Sequence, residues 1–330
     1  MNITTVGITG ANGHVGASVV RLLLEKGYKV KALIFKNSNA LQGLEVELCY
    51  GDINNESSLL AFLENVDAVI HCAGFIGLAK HQAKTMHRIN VDGTKNVVSA
   101  CLKTGVEKLV YVSSVQAFNI QKAAVLNETA HFTTATNDAY SNSKYLGEEA
   151  VRKGVKQGLD ACIVNPTSII GPFDFNPGAQ TKAILKIANK QVPALMLGGF
   201  DWVDVRDVAQ GILGALLHGK TNENYLLSGH WHSLKDIAYA IARYMQHKPI
   251  RFYMPINLVL LAAYFVDRLA NIRKTSPLIT PNAINFIKNV PLSIEHNKAT
   301  KAFNYKPRPF DISMQDTMNW LKEQNLIKEK

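Results

Sequence analysis

A chain of 330 residues, 47% of them apolar and with a formal net charge of +10, can bury one large core or two modest ones. The even spread of apolar residues excludes a long disordered tail, and no internal repeat or low-complexity tract is present. The lysines are scattered, with no aromatic-interleaved basic stripe, so the charge speaks for anionic small ligands and against nucleic acid.

The opening Met1-Asn2-Ile3-Thr4-Thr5 has no basic region of a secretory leader and runs straight into an apolar strand. Cys49, Cys72, Cys101 and Cys162 all fall inside apolar patterns, and no Cys-x-x-Cys pair occurs. They are expected to be reduced core residues of a cytoplasmic protein, with no disulfide and no metal site.

The first predicted strand, Val6-Gly7-Ile8-Thr9, ends in Gly10-Ala11-Asn12-Gly13-His14-Val15-Gly16, and an apolar helical pattern follows at once (Val15, Val19, Leu22, Leu23). Strand, tight turn and helix start is the setting a dinucleotide-binding loop requires. Gly10 permits the turn, Gly13 lets the backbone approach a pyrophosphate, and Gly16 lets helix and strand pack closely. Unsatisfied amides at the helix N-terminus then face the phosphates.

Strand two is expected over 28–35. It ends in Phe35-Lys36-Asn37, with no acid between Glu25 and Glu45. A carboxylate there would hydrogen-bond the ribose of NAD, whereas a cation accepts the 2′-phosphate of NADP. Lys36 therefore tilts the expectation to NADP, with NAD still open. His14 is either near this phosphate or a solvent-exposed loop residue.

Strand three (46–50) leads into Gly51-Asp52-Ile53 and strand four (68–71) into Cys72-Ala73-Gly74, small or polar residues at the sheet edge where ligands of such folds bind. A single helix is expected over 82–104, carrying Asn90-Val91-Asp92-Gly93-Thr94, and strand five over 108–113. Five strand–helix alternations predict an α/β fold with a doubly wound parallel sheet, a Rossmann fold.

Tyr140-Ser141-Asn142-Ser143-Lys144 opens the next helix, to about residue 156. Tyrosine and lysine four apart share a helix face, and a neighbouring ammonium favours the phenolate. The expectation is a phenol pKa lowered from its ordinary value near 10. Ser114, after strand five, opens on the same edge and can hydrogen-bond the reacting oxygen while Tyr140 moves its proton. A second Tyr-x-x-x-Lys, Tyr244 to Lys248, is a decoy: Lys248 precedes Pro249 and is biased out of the helix.

Taken together, Thr9 to Gly16, Gly51-Asp-Ile53, Asn90 to Thr94, Val112-Ser-Ser114, Tyr140-x-x-x-Lys144, Asn165-Pro-Thr-Ser168 and Trp202 to Ala209 resemble the extended short-chain dehydrogenases/reductases of the epimerase/dehydratase superfamily, over essentially the whole chain. The resemblance implies Ser114 as substrate-orienting serine, Tyr140 as acid/base and Lys144 as its partner. It further implies Asp52 and Ile53 near adenine, Ala73 and Gly74 along the cofactor, and Pro166 beside the nicotinamide. Within the superfamily the chain is similar to dihydroflavonol 4-reductase-like and 3β-hydroxysteroid dehydrogenase-like proteins, a group that includes hopanoid-associated sugar epimerases. Two departures stand out. Val115-Gln116 follows Ser114 in place of the Asp-Glu pair of 4,6-dehydratases, and Phe35-Lys36 stands where reductase relatives often have arginine.

Residues 1–172 are expected to form the dinucleotide-binding domain, with 193–228 returning to it, and 173–330 mainly a helical substrate-binding lobe. Phe173-Asp174-Phe175 with Pro177 makes a loop able to cover the cleft, 195–202 an apolar turn, and 204–217 a helix start with Asp204, Arg206 and Asp207 in a structural network. The apolar run 256–266 is too short to span a bilayer. It is read first as a wall or lid of an apolar substrate pocket, then as a homodimer face or a membrane-surface contact. Three functions are weighed: hydride transfer between NAD(P) and a carbonyl or secondary alcohol on an apolar small molecule; a nucleotide-sugar epimerase with bound NAD, for which Lys182, Lys186, Arg251 and Arg273 are candidate phosphate ligands; and a non-enzymatic NAD(P) sensor.

Overall fold

The first strand, β1 (Thr5–Thr9), is followed by β2 (Lys29–Ile34), β3 (Glu47–Tyr50), β4 (Ala68–His71), β5 (Lys108–Val112), β6 (Val125–Leu126), β7 (Ala161–Pro166), β8 (Ser168–Ile170), β9 (Gly199–Asp204), β10 (Asn224–Leu227), β11 (His230–Ser233) and β12 (Ser293–Ile294). The computed structural model describes residues 3–77, 79–120, 125–133, 138–275 and 280–327. Seven strands form one parallel sheet in the order β10-β7-β5-β4-β1-β2-β3. The order reverses between β1 and β4, which opens a crevice at their C-terminal ends.

Sequence explains which strands sit centrally. β4, β5 and β7 are buried at every position, as a sheet covered on both faces demands, whereas β3 at the edge is mostly exposed. Helices His14–Glu25 and Val205–His218 cover one face, burying Val19, Leu23, Val208 and Ile212 against Ile8, Ile70 and Val164. Helices Glu56–Leu63, Gly93–Thr104 and Ala139–Lys156 cover the other through Phe62, Val97, Cys101 and Val151. β10 adds the last strand of the sheet although it lies far along the chain.

The C-terminal residues build a separate core. β8 and β9 pair in parallel and β9 pairs antiparallel with β11, so 199–204 is a strand and not the expected apolar turn. Helices Ala179–Ala188, Leu234–Tyr244 and Phe310–Glu323 pack on it through Ile184, Ile237, Ile241, Met318 and Leu321.

The helix expected over 82–104 is interrupted. It runs Ala83–His87, passes through a π turn at Arg88–Asp92 and resumes at Gly93–Thr104. Asn90 and Thr94 lie in the buried stripe of this segment; Thr94 donates to the Asn90 carbonyl at 2.7 Å, while the Asn90 side chain is paired by Phe75 and Ser143.

Candidate active site

The loop after β1 is shaped by contacts that leave no room for a side chain. Gly10 has φ +71°, and a Cβ there would stand 2.5 Å from the backbone nitrogen of Ala73. At Gly16 a Cβ would stand 2.2 Å from the Gly10 carbonyl oxygen. β1, β4 and the first turn of helix His14–Glu25 are thereby pressed together, with Ala73 and Gly74 on the rim. Gly13 caps that helix, and no side chain satisfies its first amides. Open amides at a glycine-lined helix start fit a nucleotide pyrophosphate. NAD(P) would be held by this turn, by the Asp52–Ile53 and Ala73–Gly74 edges and by Lys36.

The remaining loop side chains brace it. Asn12 donates to Asn37 Oδ1 at 2.7 Å and accepts from the Ala40 amide at 2.8 Å, tying the loop to the end of β2. His14 is half-buried, with Nε2 3.0 Å from the Pro172 carbonyl oxygen. A carbonyl only accepts, so Nε2 carries the proton; burial lowers the ring's pKa and keeps it neutral. The reading of His14 as a solvent-exposed residue is therefore corrected, and its ring joins the loop to Pro172. Asp52 is occupied by the amide and side chain of Asn54, both at 2.9 Å, and Ile53 packs under Gly93. Lys36 is exposed beside the ring of Phe35.

β5 ends at Val112, and the chain turns at Ser114, whose hydroxyl accepts from the Gln116 amide at 3.2 Å. Helix Ala139–Lys156 starts on a side-chain cap from Asp138 and brings Tyr140 beside Ser114, whose hydroxyl acts to lower the phenol's pKa. The two sequence-predicted catalytic groups therefore meet. Lys144 is buried and donates to the Val112 carbonyl at 2.9 Å. Burial lowers its pKa to about 8, with Glu148 pulling it back up.

The tyrosine's pKa moves against expectation. Desolvation pushes Tyr140 up to about 12, and the Ser114 hydrogen bond only partly offsets this. The Lys144 ammonium is turned onto a backbone carbonyl, so it does not dominate the phenol. At neutral pH the protein frame holds Tyr140 as a neutral acid able to donate its proton to a developing alkoxide.

Beneath this pair lies a buried polar cluster in which Asn90 and Asn165 belong to motifs noted above without a role, and Glu148 was not noted. Asn90 accepts the Phe75 amide at 2.7 Å and donates to Phe75 O at 3.0 Å and Ser143 Oγ at 2.9 Å. Glu148 receives the amides of Asn165 at 2.6 Å and Asn224 at 2.9 Å, and burial raises its pKa. Asn165 also donates to Ser114 O at 3.0 Å, so the cluster positions the serine turn. A usable signal existed: Glu148 stands four residues beyond Lys144 on the same helix face. The decoy separates cleanly. Tyr244 ends its helix and donates to Asn319 at 2.7 Å, and Lys248 lies beyond.

Beside Val115, the residue after Ser114, a small cleft of about 10 Å³, room for about one water molecule, is lined by Val115, Ile120, Phe200, Phe286, Val290 and Ile294, with Thr167, Ser168 and Asp201 as polar members. Thr167 donates to Asp201 at 2.6 Å, so these two already satisfy each other. The cleft's aromatic members are Phe200 and Phe286, and the 256–266 run, whose large side chains are mostly exposed, contributes none of its lining. Ile256, at the start of that run, instead lines a separate hollow with Tyr253, Met254 and Pro255. Lys182, Lys186, Arg251 and Arg273 are exposed, and none lines the cleft. Asp204, Arg206 and Asp207 form the expected network: Arg206 grips Asp204 at 2.7 and 2.9 Å, and Arg308 grips Asp207 at 2.8 Å. The cysteines are free, Cys101 and Cys162 buried, Cys49 and Cys72 only partly so.

Comparison with known proteins agrees with the fold. Residues 6–228 match the NAD dependent epimerase/dehydratase family. Sterol demethylase protein B of Methylococcus capsulatus is 31% identical over 97% of this chain and 99% of its own. A Synechocystis protein provisionally named as a dihydroflavonol 4-reductase is 29% identical over 97% and 95%. The crystal structure of gox2253 superposes with a TM-score of 0.83 at 30% identity, covering 99% of this chain and 100% of that one.

Proposed function

The chain belongs to the NAD-dependent epimerase/dehydratase family, and we propose that it is an oxidoreductase moving hydride between NADP(H) and a carbonyl or secondary alcohol on a fairly apolar molecule. The observation that carries this reading is the placement of Tyr140 beside Ser114 at the C-terminal edge of the parallel sheet, with Lys144 buried one helix turn on. Bound NAD(P) supplies or accepts the hydride. Ser114 orients the reacting oxygen, Tyr140 gives or takes its proton, and Lys144 fixes the helix turn beneath through Val112 O.

One further observation supports an apolar substrate. The sterol and dihydroflavonol names of the two relatives denote largely apolar ring compounds. For the nucleotide, β2 ends without a carboxylate and with Lys36 exposed, which suits a 2′-phosphate. Lys36→Ala should weaken NADPH by roughly 1 kcal/mol and NADH by much less. Titrating both nucleotides decides this, and equal losses contradict NADP preference.

The test of the reaction is a screen of apolar ketones and aldehydes with NADPH and NADH, after native mass spectrometry for retained nucleotide. Exchangeable nucleotide with net oxidation is expected. Tightly retained NAD with interconversion of UDP-sugars would overturn the reading in favour of the epimerase.

A further inference from the structure

Helix Ile256–Arg273 buries only Ala263, Asp267 and Ala270, all on one side. Its large apolar residues face the other way. Leu258, Leu261, Phe265, Leu269 and Ile272 recur three or four apart and fall within an arc of about 80° around the helix. All five are exposed, Phe265 at 68% and Ile272 at 71%. A stripe of this regularity is what a core helix buries, so one turned to solvent marks a contact surface. Phe252, Tyr253, Tyr264 and Leu292 extend the exposed apolar area.

Charge identifies what covers it. Residues 251–294 contain five cations, Arg251, Arg268, Arg273, Lys274 and Lys288, and one acid, Asp267. The cations are exposed and the acid is buried. On the helical wheel Arg268 and Arg273 flank the stripe on opposite sides. A second copy seated face to face would set the same cations against each other with no exposed acid from this segment to answer them. An apolar stripe edged by aromatic rings and cations instead matches a helix lying in the headgroup layer of an anionic bilayer. Among the described residues no helix is long and apolar enough to cross a membrane, so the contact is along the surface.

We propose that helix Ile256–Arg273 docks the protein onto anionic lipid, its outward stripe entering the headgroup–acyl boundary and the flanking cations meeting lipid phosphates. The proposal is independent of which carbonyl the active site takes. The test is flotation of the full chain with vesicles of phosphatidylcholine containing phosphatidylglycerol, against phosphatidylcholine alone. Binding to the anionic vesicles, weakened by added salt, is expected. Leu261→Glu with Phe265→Glu, and separately Arg268→Ala with Arg273→Ala, should each lower partitioning by at least about tenfold. Thermal midpoint and nicotinamide-nucleotide binding, measured on the same variants, should not move, because all four side chains are exposed. No flotation with anionic vesicles, or unchanged flotation of the glutamate variant, would overturn the proposal. So would a discrete dimer in sedimentation that the glutamate variant splits into monomers.

Discussion

The crevice between β1 and β4 and the helix Ile256–Arg273 use their apolar residues in opposite ways. Around the crevice, Ile8, Ile70 and Val110 are fully buried, and the buried His71 is bonded at both ring nitrogens, to Thr9 and Thr94 at 2.6 and 3.0 Å. On the helix, small residues and one aspartate face inward while leucine, phenylalanine and isoleucine face out. The first region is built to hold backbone and polar side chains in fixed positions. The second tolerates change in its own fold and is shaped by what lies outside the chain. Hydrophobicity in sequence thus reports burial in one region and contact in the other.

The largest effect should come from the crevice side. Tyr140→Phe removes the proton donor and should cost at least ~10²-fold in turnover while nucleotide affinity stays within a few-fold. Tyr244→Phe, whose hydroxyl only meets Asn319, should be near silent in the same assay. A Tyr140→Phe rate within tenfold of the parent would remove Tyr140 from the chemistry.

Gly16→Ala adds one methyl where the Gly10 oxygen and the Ala11 backbone already stand at 2.2 and 2.7 Å. Rigid backbone cannot yield as a side-chain tip can, so a loss of about 1–3 kcal/mol is expected, with weaker nucleotide binding. Chemical denaturation and nucleotide titration measure both.

His71 makes the same region sensitive to acid. Burial is the main cause, with Lys144 adding, that its pKa falls from 6.5 to about 3. The folded state therefore binds the proton less readily than the unfolded state. The stability of neutral His71 is fully present above pH 6.5 and is lost as pH falls towards about 3. Between pH 7 and 5 the loss should be about 2 kcal/mol from this group. Comparing urea midpoints of the parent and His71→Gln at both pH values isolates it, and identical pH slopes would dismiss the histidine. The smallest effect is on the other side of the comparison: Phe265→Ser should change stability by no more than about 0.5 kcal/mol. A larger loss in thermal or urea unfolding would mean that the ring belongs to the core.

The contrast also explains what could be read from sequence. Buried parallel strands such as β4 and β5 announce themselves as β-branched runs, and the glycines of the first turn are dictated by backbone distances that only glycine fits. Ser114, Tyr140 and Lys144 were legible because helix spacing and the end of a strand place them on one edge. The direction of the Tyr140 shift was not, because it depends on desolvation and on where Lys144 points, and neither is a spacing. The roles of Asn90 and Glu148 escaped for a related reason: their importance lies in partners from other elements, Phe75 and Ser143 for one, Asn165 and Asn224 for the other. The 256–266 run was read inward because composition carries no sign for which face meets the core. Only the placement of Ala263, Asp267 and Ala270 reveals it.

Net hydride transfer assisted by Tyr140 is the central claim, and deuterium tracing addresses it without intermediaries. The protein is incubated with NADPH carrying deuterium at both C4 positions of the nicotinamide and an apolar ketone found in the screen, and the product alcohol is analysed by mass spectrometry. The account predicts one deuterium on the carbinol carbon for each nucleotide oxidised, over many turnovers, with the yield collapsing in Tyr140→Phe. Product alcohol free of deuterium, or undiminished labelling by Tyr140→Phe, would contradict it.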